Sequence, residues 1–420
     1  MSALEGEPGG PLAGVRVIDV GTRISAPFCA GLLGELGADV IKVELPGEGD
    51  FMRTIGPFAR VEGEGGGAGA GEPEDAGGPG YSLFWAVEGR GRRGVTCDLR
   101  KPAGQALFKR LAATADVLCE NFRPGTMERW GLGPDSLPEE LVYIRISVFG
   151  QTGPYAPRPG LDRLGIAFGG LLHLTGDPDR PPVRPGVTVS DYLTGVFAAF
   201  AAVASLYARD TAGGGGEVVD APLYASVLRI LEWTLAGYDR LGVVRQREGN
   251  RLSHSAPLDN YLTADGSYVC IVAGSDANFS RLCAAMERPD LVSDPRFATL
   301  AERAAHGDEI NGLVAAWTSG LTAEQVTARC VEHDVPVGTA YSAADIFADP
   351  HMSARGDLVS VDDPVLGPVR QQAPFPRLSR RPTPVPAGAP RLGEHNENVW
   401  CGVVGLSPDE LADLVTLGIV

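Results

Sequence analysis

Lysine is almost missing: Lys42, Lys101 and Lys109 are the only three in 420 residues. The basic side chains, 36 against 53 acidic ones for a net charge of −17, are otherwise all arginine. No basic stripe runs along the chain, which argues against a protein that coats nucleic-acid phosphates. Histidine is also scarce. His173, His254, His306, His333, His351 and His395 are scattered without evident partners, and each reads as a surface or core residue rather than a base. The seven cysteines lie far apart, odd in number and with no C-x-x-C pair, so neither a disulfide framework nor a zinc site is expected. No G-x-S-x-G elbow, H-E-x-x-H helix or P-loop occurs. The most apolar run, 196–208, falls short of the roughly 20 residues that cross a bilayer. It reads as a buried helix. Residues 1–11 carry no basic leader followed by an apolar stretch, so a soluble cytoplasmic protein is expected.

What remains is ordinary globular composition, 44% hydrophobic and 21% charged, in a chain long enough for two or three domains. Val15, Val17, Ile18 and Val20 form one apolar strand, Pro27 opens a helix of about ten residues, and 38–43 is a second strand. Such a strand–helix–strand unit implies a parallel pair covered by helices. The turn between them, 21–27, is not G-x-G-x-x-G, so dinucleotide binding loses its main support. Strands at 94–99, 116–122, 141–148 and 217–220 alternate with helices at 102–113 and 125–130 and a long one ending near Arg209, and a further helix is expected at 224–236. The expected fold class is α/β, a Rossmann-like parallel-sheet large domain with a smaller α+β domain. The expected division is a disordered N-terminus at 1–10, a large domain at 11–239 and a linker at 240–256. A small domain at 257–344, an extended linker at 345–390 and a C-terminal segment at 391–420 returning to the large domain complete it. Residues 61–80, nearly devoid of apolar side chains, read as a mobile insertion. An Asp265-Gly266 turn marks a hairpin in the small domain, and Thr322 with Gln325, like Ser407 with Glu410, matches a capping box.

One carboxylate stands out. Asp191 lies in Thr188-Val189-Ser190-Asp191-Tyr192, ahead of the long helix. It reads either as an N-cap contributing about 1 kcal/mol or as a nucleophile kept ionised by the helix dipole.

Several blocks then recur in order: Pro11-Leu12-x-Gly14-Val15-Arg16-Val17-Ile18-Asp19, Ala26-Pro27, and Leu36-Gly37-Ala38-Asp39-Val40-Ile41-Lys42-Val43-Glu44. Glu120-Asn121-Phe122-Arg123-Pro124-Gly125, Phe149-Gly150-Gln151-Thr152-Gly153-Pro154-Tyr155 and Leu392-Gly393-Glu394-His395 follow. Together they closely resemble the family III CoA-transferases (the CaiB/BaiF family), the formyl-CoA and carnitine CoA-transferase group. The resemblance runs from Pro11 to the end of the chain. It implies that Asp191 attacks an acyl-CoA thioester, forming a mixed anhydride and then an aspartyl-CoA thioester. CoA would then pass to a carboxylic acid, with succinyl-CoA the donor suggested by family habit. Coenzyme A enters as substrate, and no metal is needed. The resemblance also implies an interlocked homodimer, with no nucleic-acid or membrane partner. Carried over position by position, CoA would lie along Cys97, Leu99, Asn121, Phe122, Thr126, Arg129 and Trp130. Arg129 is the expected phosphate partner, with charge added by Arg92 and Arg93.

Three departures narrow the substrate. Ile24 stands where formyl-CoA transferases carry glutamine, Leu45 where they carry arginine, and 255–265 lacks their glycine-rich loop. Formyl-CoA and oxalate are therefore not expected. The racemase branch uses a Gly-His-Asp step, but Gly160-Leu161-Asp162 has no imidazole there. That favours transfer over an acyl-CoA racemase or isomerase; a non-catalytic CoA-binding protein is the other rival reading.

Overall fold

Six short strands, the first five buried at nearly every position, set the architecture: β1 (Arg16–Asp19), β2 (Asp39–Glu44), β3 (Arg93–Thr96), β4 (Val117–Glu120), β5 (Val142–Ser147) and β6 (Val218–Pro222). In the computed structural model, which describes residues 9–60 and 80–420, they pair in parallel in the order β3-β2-β1-β4-β5-β6. That is the order of an open doubly wound sheet, whose switch point lies between β1 and β4. All six expected strands are present. The expected disordered N-terminus and mobile insertion lie outside the described residues except at Gly9, Gly10 and Gly80. Gly10 is buried.

Strand side chains alternate between two layers. Val17, Val40, Val117, Cys119, Val142 and Ile144 meet α1 (Ser25–Glu35) and the long helix α5 (Val189–Ala212) on one face. Ile18, Ile41, Val95, Leu118 and Tyr143 meet α2 (Pro102–Ala112) and the C-terminal residues Val399, Trp400, Ile419 and Val420 on the other. A parallel sheet needs both faces covered, and here both are. Helix α5 approaches α1 through small residues: Ala198, Ala199 and Ala202 are buried, and a Cβ on Gly195 would stand 3.1 Å from the Ser25 carbonyl oxygen. The first turn of α5 is thereby held over the start of α1.

The described residues up to Leu171, with Gly186–Glu232 and Arg355–Val420, form one compact unit. Leu172–Pro185 and Trp233–Ala354 form the other, so two stretches that the sequence suggests for the large domain group with the second unit. Its three-stranded antiparallel sheet is built on the expected Asp-Gly hairpin, Leu258–Leu262 paired with Tyr268–Val272, with Val337–Thr339 added. Arg303 lies fully buried there and donates to the carbonyls of Ala256, Phe297 and Gly274. Both capping boxes form.

Four expectations need correction. The 345–390 stretch is not extended throughout: Leu358–Asp363 and Gly367–Gln372 make an antiparallel hairpin. The helix expected at 224–236 breaks into α6 (Leu223–Arg229) and Thr234–Leu241. Helix α5 starts before Asp191, not after it. At 24 residues it is also long and apolar enough, by length and composition, to cross a membrane. Its inner face is instead packed on the sheet layer and α1.

Candidate active site

The turn that follows β1 rests on a buried set of charges. Lys42, with no exposed surface, places its Nζ 2.8 Å from Asp50 Oδ2 and 3.5 Å from Asp19 Oδ2, and donates to the Gly21 carbonyl. Arg92 faces Asp19 at 3.7 Å from the other side and donates to the Pro27 carbonyl. Two cations thus balance two carboxylates, all four buried. Burial pushes Asp50 up, but the charge and hydrogen bond of Lys42 outweigh it and hold the carboxyl below its usual range. For Asp19 burial prevails, and its carboxyl sits above that range despite Lys42 and Arg92.

Asp50 passes this anchoring to the turn. Its Oδ1 accepts from the backbone N–H of Met52 (2.8 Å) and Arg23 (3.1 Å) and from the Thr22 hydroxyl (3.2 Å). Asn121, at the end of β4, holds Thr22 from below: its Oδ1 accepts the Thr22 N–H at 2.8 Å and its Nδ2 donates to the Thr22 carbonyl at 2.7 Å. The same Nδ2 lies 3.1 Å from Ser25 Oγ. Clamped on both sides, Arg23 keeps φ at 66°, a left-handed conformation costing a non-glycine residue about 1–3 kcal/mol. Strain of this size persists where surrounding bonds over-determine it, as at functional sites.

Helix α5 delivers Asp191 to this turn. Thr188 is the N-cap residue but makes no side-chain cap, so Asp191 is the third residue inside the helix. The cap comes from Asp162, the first residue of α4 (Asp162–Phe168). Its Oδ1 accepts from Ser190 N–H at 2.8 Å, Ser190 Oγ at 2.8 Å and Asp191 N–H at 3.3 Å. The capping work that the sequence allows for Asp191 is done by Asp162, which leaves the Asp191 carboxylate free for other use. Asp191 is half-buried and accepts a hydrogen bond from Ser25. Burial first, and the charge of Asp162 second, push its carboxyl up to about 7, with Ser25 and Arg23 pulling the other way. A poorly solvated carboxylate that ionises near neutrality is more basic, and so a better nucleophile, than one in water.

Asp162→Asn keeps the cap oxygen and deletes the charge. The acidic limb of kcat/KM against pH should move below its wild-type position near 7, because Asp191 then ionises more readily. An unmoved limb would show that the two carboxylates do not interact.

A cavity of about 240 Å³ opens beside Gly21 and Thr22 of the turn. Its walls include Thr22, Asp50, Leu99, Arg100, Phe122 and Trp130, with Cys97 beside them. Phe122 and Trp130 meet edge to face with ring centroids 5.2 Å apart. Four of the residues expected along CoA therefore line one cavity: Cys97, Leu99, Phe122 and Trp130. Burial pushes the Cys97 thiol up to about 12, which makes it an apolar wall and not a thiolate. Asn121 braces the turn and is not among the lining residues. Thr126 and Arg129, on the short helix α3 (Thr126–Arg129), bond each other at 2.8 Å outside that lining. Arg92 and Arg93 are elsewhere, the first inside the buried charge set and the second bonded to Asp39 and Asn398. Asp191 does not line the cavity; of the 21–25 turn, Gly21 and Thr22 line it, and Ser25 acts on Asp191. Among the described residues no cluster of three His, Cys, Asp or Glu is arranged to hold a metal.

Sequence reading missed Asp162, Ser25, Arg23 and the pair Lys42–Asp50. Lys42 alone carried a signal, a lone cation inside the apolar strand 38–43.

The chain matches the model of CoA-transferase family III over residues 12–396. It is 43% identical over 410 residues to the succinyl-CoA–D-citramalate CoA-transferase of Chloroflexus aurantiacus, covering 97% of each chain. To the beta subunit of succinyl-CoA–L-malate CoA-transferase of the same organism it is 40% identical over 411 residues, covering 96% of each. A solved structure of a CAIB/BAIF family protein from Brucella suis superposes with a TM-score of 0.81 at 32% identity, covering 94% of this chain and all of the other.

Proposed function

The chain belongs to CoA-transferase family III and is a CoA-transferase; on that premise we propose that it moves CoA from succinyl-CoA to a dicarboxylic acid, with Asp191 as the covalent carrier. The observation that carries this reading is a desolvated carboxylate in the first turn of α5 whose capping duty Asp162 has taken over. An Asp191 oxygen attacks the thioester carbonyl, the C–S bond breaks, and CoA leaves as thiolate from a mixed anhydride. The thiolate attacks the Asp191 carbonyl, releasing succinate and leaving an aspartyl-CoA thioester. The acceptor carboxylate repeats the first attack on that thioester, expelling CoA and forming a second anhydride. CoA thiolate then takes the acceptor's acyl group and frees Asp191. Each thioester is exchanged for another, so covalent catalysis has little net energy to supply. Ser25, donating to the carboxylate, orients it and supports developing charge. The apolar wall of Leu99, Phe122 and Trp130, with Cys97 beside it, suits adenine and pantetheine; Asn121 braces the turn next to that wall, and the exposed Arg129, bonded to Thr126 outside the lining, supplies the cation for phosphate.

The active molecule in this reading is a homodimer. Val196, Phe200 (73% exposed) and Tyr207 form an uncovered apolar stripe along the outer face of α5; a second copy of the chain covers it, interlocked as in the family. Sedimentation should give twice the 44.0 kDa chain mass; a species of single mass would contradict it. Seven free cysteines, including Cys119, whose thiol donates to the Cys29 sulfur at 3.9 Å without a disulfide, suit a reducing cytoplasm.

The test of function is a panel of free acids incubated with succinyl-CoA and enzyme, read by mass spectrometry for new thioesters. Dicarboxylic acids should yield their CoA esters. No new thioester from any acid, or deuterium entering the acyl α-carbon without an acceptor, would contradict transfer and, in the second case, indicate a racemase.

A further inference from the structure

One cation beside the nucleophile forms no ion pair among the described residues, though its charge acts on Asp191. Neighbouring arginines are committed to carboxylates: Arg53 to Glu44 at 2.7 Å, Arg92 to Asp19, Arg93 to Asp39. The Arg23 guanidinium, half-buried, has no ion pair or hydrogen bond among the described residues. It lies over the Phe51 ring, 3.9 Å from the centroid. Stacking on a ring face fixes the guanidinium plane and leaves its edge N–H groups free, the geometry that a carboxylate takes in a bidentate pair. Its backbone is held in a strained left-handed conformation by Asp50, two residues before the serine that bonds Asp191. The strain serves to aim this side chain, since any residue with φ near −60° would close an ordinary turn at lower cost.

We propose that Arg23 receives the carboxylate at the far end of the acyl chain and so selects dicarboxylic acyl groups over monocarboxylic ones. The inference rests on the transfer reading above and adds the residue that sets substrate class. A dicarboxylic acyl group brings a further negative charge beside Asp191 and Asp162. In a half-buried site that charge is costly to hold without a cation, and Arg23 is the unpaired one. A monocarboxylic acyl chain of equal length has nothing to offer the guanidinium.

The test compares succinyl-CoA with butyryl-CoA, which share the whole CoA moiety and differ in the distal carboxylate. Dissociation constants are measured by calorimetry on the full chain for wild type, Arg23→Gln and Arg23→Lys, with kcat/KM in parallel. Wild type should prefer succinyl-CoA. In Arg23→Gln that preference should collapse by roughly 10- to 100-fold, the size of a lost charge-assisted pair, and Arg23→Lys should restore part of it. Equal weakening of both thioesters would mean that Arg23 serves CoA phosphate or the turn itself, and an unchanged preference would mean that it serves neither ligand; either overturns the proposal. Loss of the preference in an enzyme that transfers nothing would refute the transfer reading and leave the Arg23 assignment standing.

Discussion

Asp191→Asn should lower turnover with succinyl-CoA at least about a thousand-fold, or more than about 4 kcal/mol of barrier, while leaving CoA binding within a few-fold of wild type. The amide fits the same space in the first turn of α5, and the Asp162 cap on Ser190 does not depend on it. The same substitution should stabilise the fold at alkaline pH. Asp191 has its carboxyl pushed from 3.8 to about 7 in the folded chain, so the folded state binds its proton more tightly than the unfolded one. The stability linked to that proton is fully present below about pH 4 and is lost as pH rises through 7, reaching a liability of a few kcal/mol. Asparagine never ionises. The variant should therefore melt above wild type at pH 8 and at the same temperature near pH 4. Thermal melts at the two pH values check this, and a variant that melts lower at pH 8 would show the carboxylate to be structural.

Lys42→Met should be the most damaging single change to the fold. Methionine fills the volume but leaves Asp19 and Asp50 facing each other without their shared cation. Breaking a buried pair from one side costs about 3–5 kcal/mol. The loss should also be felt in activity, because Asp50 holds the N–H of Arg23 and the hydroxyl of Thr22. The sign with pH follows from Asp50. Lys42 holds its carboxyl below the usual range in the wild type, and without the lysine the N–H groups of Met52 and Arg23 are left to oppose burial, so the carboxyl moves up. Protonation then relieves the variant as pH falls, so its stability deficit should be smaller at pH 5 than at pH 8. Urea unfolding midpoints at both pH values measure it. A deficit under about 1 kcal/mol at pH 8 would show that the charge set is not what supports the turn.

These two substitutions mark what the sequence could and could not disclose. The strands were legible because apolar residues hold most positions of a parallel strand buried on both faces, four of six in each of 15–20 and 38–43. Capping boxes at Thr322 and Ser407 were legible because their partners lie three residues away. Contacts between distant segments were not. Asp191 had the residue type and place of an N-cap, and only the fold shows the cap arriving from Asp162, 28 residues before Ser190. Arg92 read as a phosphate partner because a buried arginine and an exposed one look alike in sequence. The hairpin Leu358–Asp363 with Gly367–Gln372 was hidden by its polar outer residues and the prolines around it. Arg23 sat in a stretch without periodicity, and its left-handed backbone has no sequence signal when the residue is not glycine.

The central claim is that Asp191 becomes acylated and then carries CoA during turnover. Quenching the enzyme in the middle of succinyl-CoA turnover with hydroxylamine, followed by peptide mass spectrometry, tests it most directly. A hydroxamate on the Asp191 side chain is the predicted result. An unmodified Asp191 in enzyme that is demonstrably transferring CoA would contradict the account.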